Sequence, residues 1–309
     1  MKKISFVNAA LVLGAAVVLT LSSCSAETEE VLNVEEQNTI WRVPVRVRVK
    51  EFSVSMEAIP ESQTRATQSP ADYTDIKIMI LAFYDSEGTE VYKTTQTKGS
   101  LSTGETFGDF RCNLPAGTFT MVVIGRDSGT GDAFTLTSPT EAAFTSEKVR
   151  ETFAKTQSVT VTNSNALDLE VTLGRIVPEL YIESTDTRPE GISKIRTTYG
   201  GGGKSFNPTT GLSIGNAGFS LTNTPSSANV GDVVKVMNYA YLATDEQTME
   251  ITLEVLDAEE NVLVTKVIPN VPLKRNRRTT LSGPLFTPSA SSVSFVLETD
   301  WLDGNTVEF

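Results

Sequence analysis

The sequence predicts an all-β protein made of two antiparallel β-sandwiches that follow one another along the chain. Short runs with an apolar residue at every second position recur throughout, and glycine, proline, asparagine and serine separate them. A period of two is that of a strand with one buried face, and many such strands divided by turns are typical of sandwiches. The length suits two domains of ordinary size, which we place at 40–173 and 174–309.

The chain begins with the pattern of a secretory leader. Lys2 and Lys3 precede a mainly apolar run over 7–21, and small residues then lead to Cys24. The apolar run is too short for a stable membrane-spanning helix but suits a signal peptide. A cysteine in this place resembles the lipobox of bacterial lipoproteins, whose thiol is acylated. We therefore predict a lipoprotein signal peptide over 1–23 and lipidation of Cys24; the alternative is an ordinary signal peptide with an incidental cysteine.

An acidic segment over 24–39 follows the leader. It contains five glutamates and no basic residue between positions 25 and 38. Because it has little to bury and its charges repel one another, it is predicted to be an extended tether. It also resembles the surface-export signal of lipoproteins in some Gram-negative anaerobes, and the alternative is a merely solvated spacer.

The first strand of the globular body is predicted at 41–55. Apolar residues alternate there with basic ones, which predicts one buried face and one basic, solvated face. Pro44 lacks a backbone donor and therefore indicates an edge strand or the start of a strand. The polar segment 61–73 that follows is predicted to be a long loop, with Arg65 in its middle. The alternating apolar residues of the strand are Trp41, Val43, Val45, Val47 and Val49.

A hairpin is the strongest signal in the rest of the first half. Residues 76–84 and 90–97 are predicted strands, and the turn sequence Asp-Ser-Glu-Gly joins them. Residues 110–114 alternate, and Pro115 and Gly117 then predict a break followed at once by another strand. Cys112, in the alternating run, is interpreted as a small apolar core residue and not as a reactive thiol.

Residues 146–156 are predicted to form the one helix of the protein. Ser146 could cap it, and Val149 and Phe153 are four residues apart, as on one face of a helix. Strand periodicity returns afterwards. The further predicted strands are 158–162, 167–173, 176–183, 192–199, 233–243, 249–256, 262–268, 278–281 and 293–297.

A run of four glycines before Lys204 and Ser205 is superficially similar to a phosphate-binding loop. The earlier glycine of that motif would fall at Thr198, and Pro208 interrupts the helix that the motif requires. The motif is therefore incomplete, and we predict no nucleotide site.

The composition excludes whole classes of function. The formal charge of −12 repels nucleic acid, and the absence of histidine removes the commonest general base and metal ligand. Apart from Cys24 the chain has one cysteine, so an acylated Cys24 leaves no intramolecular disulfide. We predict a protein that is not an enzyme, with no cofactor, no metal site and no nucleic acid partner. A hydrolase with paired carboxylates stays as an alternative, although no pair stands out.

Five segments together resemble the fimbrillin-like proteins of Gram-negative oral and gut anaerobes. The likeness is diffuse and spans most of the mature chain. It implies two tandem transthyretin-like sandwich domains, export as a lipoprotein, and a role as a fimbrial subunit or fimbrial anchor. The segments are DIKIMILAFYDSEGTEVY (75–92), LPAGTFTMVVIG (114–125), LGRIVPELYIESTD (173–186), KSFNPTTGLS (204–213) and VPLKRNRRTTLSGPLFT (271–287).

The resemblance also implies a mechanism of assembly. In such stalk subunits an arginine-specific protease cuts after the first strand, and the C-terminal strand of a neighbour fills the groove by β-strand addition. Here the detachable strand would be the one with the alternating valines, and the cut would separate Arg65 from Ala66. The implied partners are other fimbrial subunits, and the implied location is the outer membrane surface or the fimbrium. Little chain follows 291–301, so an anchor that donates no strand stays an alternative.

A surface lipoprotein that does not polymerise is the second class of function. It would bind a glycan or a host ligand. Aromatic rings can stack on sugars, although packing in the core is their commoner role. The aromatic residues in question are Trp41, Trp301, Tyr199, Tyr239 and Tyr241.

Overall fold

The computed structural model describes residues 41–53, 67–129, 131–146, 148–225, 229–288 and 294–298. Within these ranges every element of regular secondary structure is a β-strand, which confirms the predicted all-β class. The described residues include no helix with the length and apolar character needed to span a membrane.

The described strands divide evenly between the two halves of the chain. Those of the first half are β1 (Arg42–Ser53), β2 (Thr67–Gln68), β3 (Ile78–Tyr84), β4 (Glu90–Thr97), β5 (Asp109–Pro115), β6 (Gly117–Arg126), β7 (Phe134–Ser138), β8 (Glu141–Phe144), β9 (Thr152–Val161) and β10 (Leu167–Arg175). Those of the second half are β11 (Glu179–Thr187), β12 (Lys194–Tyr199), β13 (Ser205–Asn207), β14 (Leu212–Ser213), β15 (Phe219–Asn223), β16 (Val233–Tyr239), β17 (Glu246–Leu256), β18 (Val262–Lys274), β19 (Arg278–Gly283) and β20 (Ser294–Glu298).

The largest sheet consists of strands of the first half. Its order is β2-β1-β10-β9-β6-β3-β4, and β5 also pairs with β1. The predicted hairpin is confirmed as β3 and β4, and the predicted break is confirmed because β5 ends at Pro115 and β6 begins at Gly117. Side chains from both ends of the sheet, such as Val47, Phe110 and Leu81, share one apolar core. The sheet therefore closes on itself like a sandwich.

The second half forms a sandwich of two four-stranded sheets. Their orders are β16-β11-β19-β20 and β15-β12-β17-β18. Leu180 and Leu281 from the first sheet meet Ile195 and Leu253 from the second in a common buried cluster. The predicted second-half strands are all present, with shifted ends, and the short strands β13, β14 and β15 were not predicted.

The sheets are mixed and not wholly antiparallel, which corrects one part of the prediction. The first strand of each half has a parallel neighbour: β1 pairs with β10, and β11 pairs with β19. On its other side each first strand has an antiparallel neighbour, β5 and β16 respectively. The halves thus share a pattern of strand pairing without an evident sequence repeat.

The predicted helix at 146–156 is wrong. The last residues of that stretch belong to β9, which pairs with β6 from Gly117↔Val161 to Arg126↔Thr152. Val149 and Phe153 do not share a helical face, because they are buried in two different apolar clusters. The ladder with β6 satisfies the backbone of β9 along its length, and this tertiary pairing overrides the weak local helical pattern.

A short sheet joins the two halves. Its order is β14-β13-β8-β7, so strands of the second half pair directly with strands of the first, with Phe206 opposite Ala142. The Phe206 ring stacks on Tyr241 with centroids 4.3 Å apart, and both side chains are fully buried. The halves are therefore in extensive contact, and the division at 173/174 stays a prediction.

A buried arginine makes a second connection between the halves. The side chain of Arg175, at the end of β10, has no exposed surface. Its Nε donates to Glu151 Oε1 at 2.7 Å, one Nη to the Tyr73 hydroxyl at 2.7 Å, and the other to Asn276 Oδ1 at 2.8 Å. Burial raises the pKa of Glu151, while Arg175 and the Tyr73 hydroxyl act in the opposite direction. Asn276 lies in the turn before β19, so this network spans the chain from 73 to 276.

We predict that Arg175→Ala lowers the free energy of unfolding by about 3–5 kcal/mol, because it leaves the buried Glu151 carboxylate without its cation. The control is Arg111→Ala, whose side chain is 75% exposed and should change stability by less than about 0.5 kcal/mol. Urea unfolding followed by far-ultraviolet circular dichroism measures both variants. Equal midpoints for the two would contradict a structural role for the network.

Candidate functional site

The first strand lies inside its sheet. On one side β1 pairs with antiparallel β5, from Arg42↔Pro115 to Arg48↔Asp109, and on the other with parallel β10, from Val45↔Leu167 to Ser53↔Gly174. The interpretation of Pro44 as a sign of an edge strand is therefore wrong. The alternative, a strand start, agrees with the structure, because Pro44 is the third residue of β1 and precedes the pairing with β10.

The valines of β1 form its buried face, as the alternation predicts. Val43, Val45, Val47 and Val49 are each at most 6% exposed. Trp41 does not continue this row: it is 76% exposed because it lies before the first residue that pairs with β5. The predicted set of apolar strand residues is thus correct for the valines and wrong for the tryptophan.

An irregularity in the register adds a fifth buried side chain, which the alternation does not predict. The pairing with β10 shifts between Val49 and Glu51, so Phe52, an odd number of positions after Val49, also points into the core. Phe52 is completely buried. Since burial of a valine or phenylalanine contributes roughly 1.5–3 kcal/mol, these five side chains together contribute on the order of 10 kcal/mol. Loss of β1 would therefore expose a long apolar groove.

The outer face of β1 is a stripe of paired charges. Arg46 binds Asp109 of β5 through two hydrogen bonds of 2.6 and 2.8 Å, and Arg48 binds Asp168 and Glu170 of β10, each at 3.0 Å. The hydrogen bond from Arg46 holds the pKa of Asp109 below its usual range. Exposed pairs of this kind contribute little to stability, because water and salt screen them. Their value here is that each joins β1 to a particular residue of a neighbouring strand.

A groove of about 440 Å³ runs beside the beginning of β1. It lies where β5 and β10 flank Pro44 and Arg46, and Cys112 of β5 is one of its lining residues. Cys112 is buried, and desolvation raises the pKa of its thiol to about 11, which agrees with a core residue. The lining residues are Pro44, Val45, Arg46, Arg111, Cys112, Asn113, Ala166, Leu167 and Asp168.

Several predicted site residues lie outside the described residues. These are Cys24, Arg65, Ala66 and Trp301, so lipidation, proteolytic processing and a role of Trp301 stay predictions. Among the described tyrosines, Tyr199 and Tyr241 are buried and cannot stack on a sugar ring, and Tyr239 is partly buried. The structure brings the valines of the predicted detachable strand together in one core.

The glycine-rich segment is not a phosphate-binding loop. Gly203 exchanges backbone hydrogen bonds with Tyr241, and Ser205 begins β13, where the phosphate motif would begin a helix. The ammonium group of Lys204 donates to the carbonyl oxygen of Ser146 at 3.1 Å. The segment therefore connects the two halves of the chain.

Comparison with known proteins finds one family model. It is described as "Family of unknown function (DUF6562)" and matches residues 44–303. No curated protein matches the sequence.

Solved structures with a similar fold come from species of Bacteroides and Porphyromonas. A proposed adhesin from Bacteroides ovatus is 13% identical, with a TM-score of 0.49 and coverage of 85% of this chain and 97% of that chain. A structure of proposed polysaccharide-binding proteins from Bacteroides thetaiotaomicron is 10% identical, with a TM-score of 0.49 and coverage of 84% and 99%. The fimbrial anchor protein Mfa2 from Porphyromonas gingivalis is 11% identical, with a TM-score of 0.46 and coverage of 84% and 97%.

We predict that Cys112 is much less reactive in the native chain than in the unfolded chain, because its thiol is buried. In a Cys24→Ser chain, Cys112 is the one thiol, and a pKa near 11 leaves about 100-fold less thiolate at pH 8 than an ordinary cysteine has. Iodoacetamide should therefore modify the native chain at least about 100-fold more slowly than the urea-unfolded chain, and the native rate should rise with pH up to about 11. Mass spectrometry measures the modification, and a native rate equal to the unfolded rate would contradict the buried position.

Proposed function

We propose a function for this chain, which belongs to the DUF6562 family of unknown function: it is a surface lipoprotein that serves as a fimbrial subunit or fimbrial anchor. The family description names no activity, so the proposal rests on the residues. The five segments that resemble fimbrillin-like proteins support it. They lie in strands and in the turns between them, such as the β3–β4 hairpin and the turn before β19.

The position of β1 is the observation that carries the proposal. β1 is the first described strand of the chain, yet it lies between β5 and β10. It is joined to the rest of the sheet along the chain only through residues 54–66, which include Arg65. A cut after Arg65 would leave β1 held by hydrogen bonds, ion pairs and apolar contacts alone. Such a strand can be exchanged for another without any change in the remaining strands.

Strand addition is the assembly mechanism that suits this arrangement. Without β1, the facing backbone groups of β5 and β10 would lack partners, and an unpaired strand edge binds another extended chain readily. The row of valine positions would give the incoming strand its register, because alternate side chains enter the groove. We propose that the partners are other subunits of the same filament.

Lipidated Cys24 and the acidic tether would hold the chain at the outer membrane surface before processing or throughout its life. Three acyl chains anchor a protein firmly, at about 0.8 kcal/mol for each buried methylene group. A chain cut after Arg65 would lose this anchor and become part of the filament. A chain that keeps its anchor would form the base of the filament.

A second function is favoured by one observation, the exposure of Trp41. The indole of Trp41 is 76% exposed, and Trp41 lies three residues before Pro44 in the chain. Pro44 lines the groove together with arginine, asparagine and aspartate residues. An exposed indole offers an apolar face and an N–H donor to a ligand. The alternative is therefore a surface lipoprotein that does not polymerise and binds a glycan or host ligand there.

We predict that native protein purified from cells begins at Ala66 if it is a filament subunit and at lipidated Cys24 if it is an anchor. Intact mass and N-terminal peptide analysis distinguish the two. An Arg65→Ala variant should retain its N-terminal segment and, if it is a subunit, should no longer enter filaments. Arg111→Ala is the matched control, because it removes an exposed arginine of β5 and should leave processing unchanged. Filament assembly by an uncut Arg65→Ala chain would contradict the proposal.

A further inference from the structure

We infer that the groove beneath β1 selects its incoming strand through an aromatic anchor at the position of Phe52. The partner strand would carry small β-branched residues at four alternate positions and an aromatic residue three positions after the last of them. This inference rests on the proposed function and names the sequence class of the strand that the groove accepts.

The pocket for the anchor is built from two other rings. The Phe52 ring lies 4.8 Å from that of Phe153 and 5.4 Å from that of Tyr73, and the latter two are 5.4 Å apart. All three rings are tilted or edge-on to one another, the favourable arrangements for aromatic pairs. A side chain without a ring would remove one ring contact from each of the two neighbours.

Gly125 forms the floor of this pocket. A Cβ atom at Gly125 would lie 3.0 Å from a ring carbon of Phe52 and 3.3 Å from a methyl carbon of Ile76. Packing therefore explains why position 125 on β6 is a glycine: a side chain there would push against the Phe52 ring. The missing side chain at this position of β6 leaves room for the Phe52 ring.

The bulge in β1 makes the anchor specific for one register. Val43, Val45, Val47 and Val49 are two residues apart, whereas Phe52 follows Val49 by three because the pairing with β10 shifts between them. Phe52 lies opposite Leu173 of β10, and Val49 lies opposite Val171. A strand that slips by two residues along β10, together with its bulge, would therefore place its aromatic ring where Val49 lies and leave the pocket empty. Overpacking at the valine position and a cavity in the empty pocket would both destabilise the slipped register.

The occupied pocket also touches the network that joins the two halves. The Tyr73 hydroxyl accepts from Arg175, and the Arg175 guanidinium lies 4.9 Å from the centre of the Phe153 ring. A strand that fills the pocket therefore packs against the two residues that hold Arg175. Correct insertion would stabilise the contact between the halves, and incorrect insertion would not.

The test uses the full chain with a specific protease site placed within 54–66 and then cleaved, so that β1 stays bound without a covalent link. Fluorescent peptides of the 41–53 sequence compete for the groove, and anisotropy together with mass spectrometry measures the exchange. The peptides are the natural sequence, Phe52→Ala, a version with Lys50 deleted, and Lys50→Ala as the control. The receiving protein is identical in every case, so folding defects in it cannot explain a difference.

We expect the natural and Lys50→Ala peptides to bind alike. Phe52→Ala should bind at least about 100-fold more weakly, which corresponds to the cost of a phenylalanine-to-alanine change in a core. The Lys50-deleted peptide should be similarly weak, because its ring arrives one position early. Binding of either altered peptide with the natural affinity would overturn the anchor.

Failure of the proposed strand addition would give a different result from failure of the aromatic anchor. If no peptide exchanges, strand addition is contradicted, and the anchor is then judged from the cleaved chain itself. Phe52→Ala in that chain should release the N-terminal segment at least about tenfold faster than Lys50→Ala does, because the lost ring contacts raise the dissociation rate. Equal release rates would overturn the anchor independently of exchange.

Discussion

The buried guanidinium of Arg175 is the constraint on which the arrangement of the molecule depends. A charge removed from water must be paired and fully hydrogen-bonded, and no single strand can supply all the partners. Glu151, Tyr73 and Asn276 come from three separate parts of the chain and meet around this one side chain. Such a pair adds little net stability compared with apolar packing, but it penalises any arrangement in which one partner is missing.

The apolar groove under β1 is arranged around the same residues. Tyr73 and Phe153 present one surface to Arg175 and another to Phe52. The first strand is consequently an integral part of the core, and it is joined to the other described strands along the chain only through residues 54–66. The proposed assembly by strand addition requires a strand of this kind, which packs fully into the core and would be held by non-covalent contacts alone once it was cut.

Errors of the sequence-based prediction have definite physical causes. The helix expected at 146–156 rested on a spacing of four between Val149 and Phe153, but these residues are buried in different cores on the two faces of a sheet. Pro44 indicated an edge because proline cannot donate, yet the strand is internal because its pairing with β10 begins one residue later. Phe52 was missed because a bulge, invisible to simple alternation, changes the phase of the strand.

The sequence alone determined the fold class, most strands, the buried valine row and the apolar role of Cys112, because a period of two and the chemistry of turns are local properties. It also determined that no histidine is available for a site, which is a matter of composition. Only the tertiary structure decided that β1 is internal, that β8 pairs with β13 across the halves, and that Arg175 is buried at their junction. Those features depend on pairings between residues far apart in the chain, and no local pattern encodes which distant strand will be the neighbour.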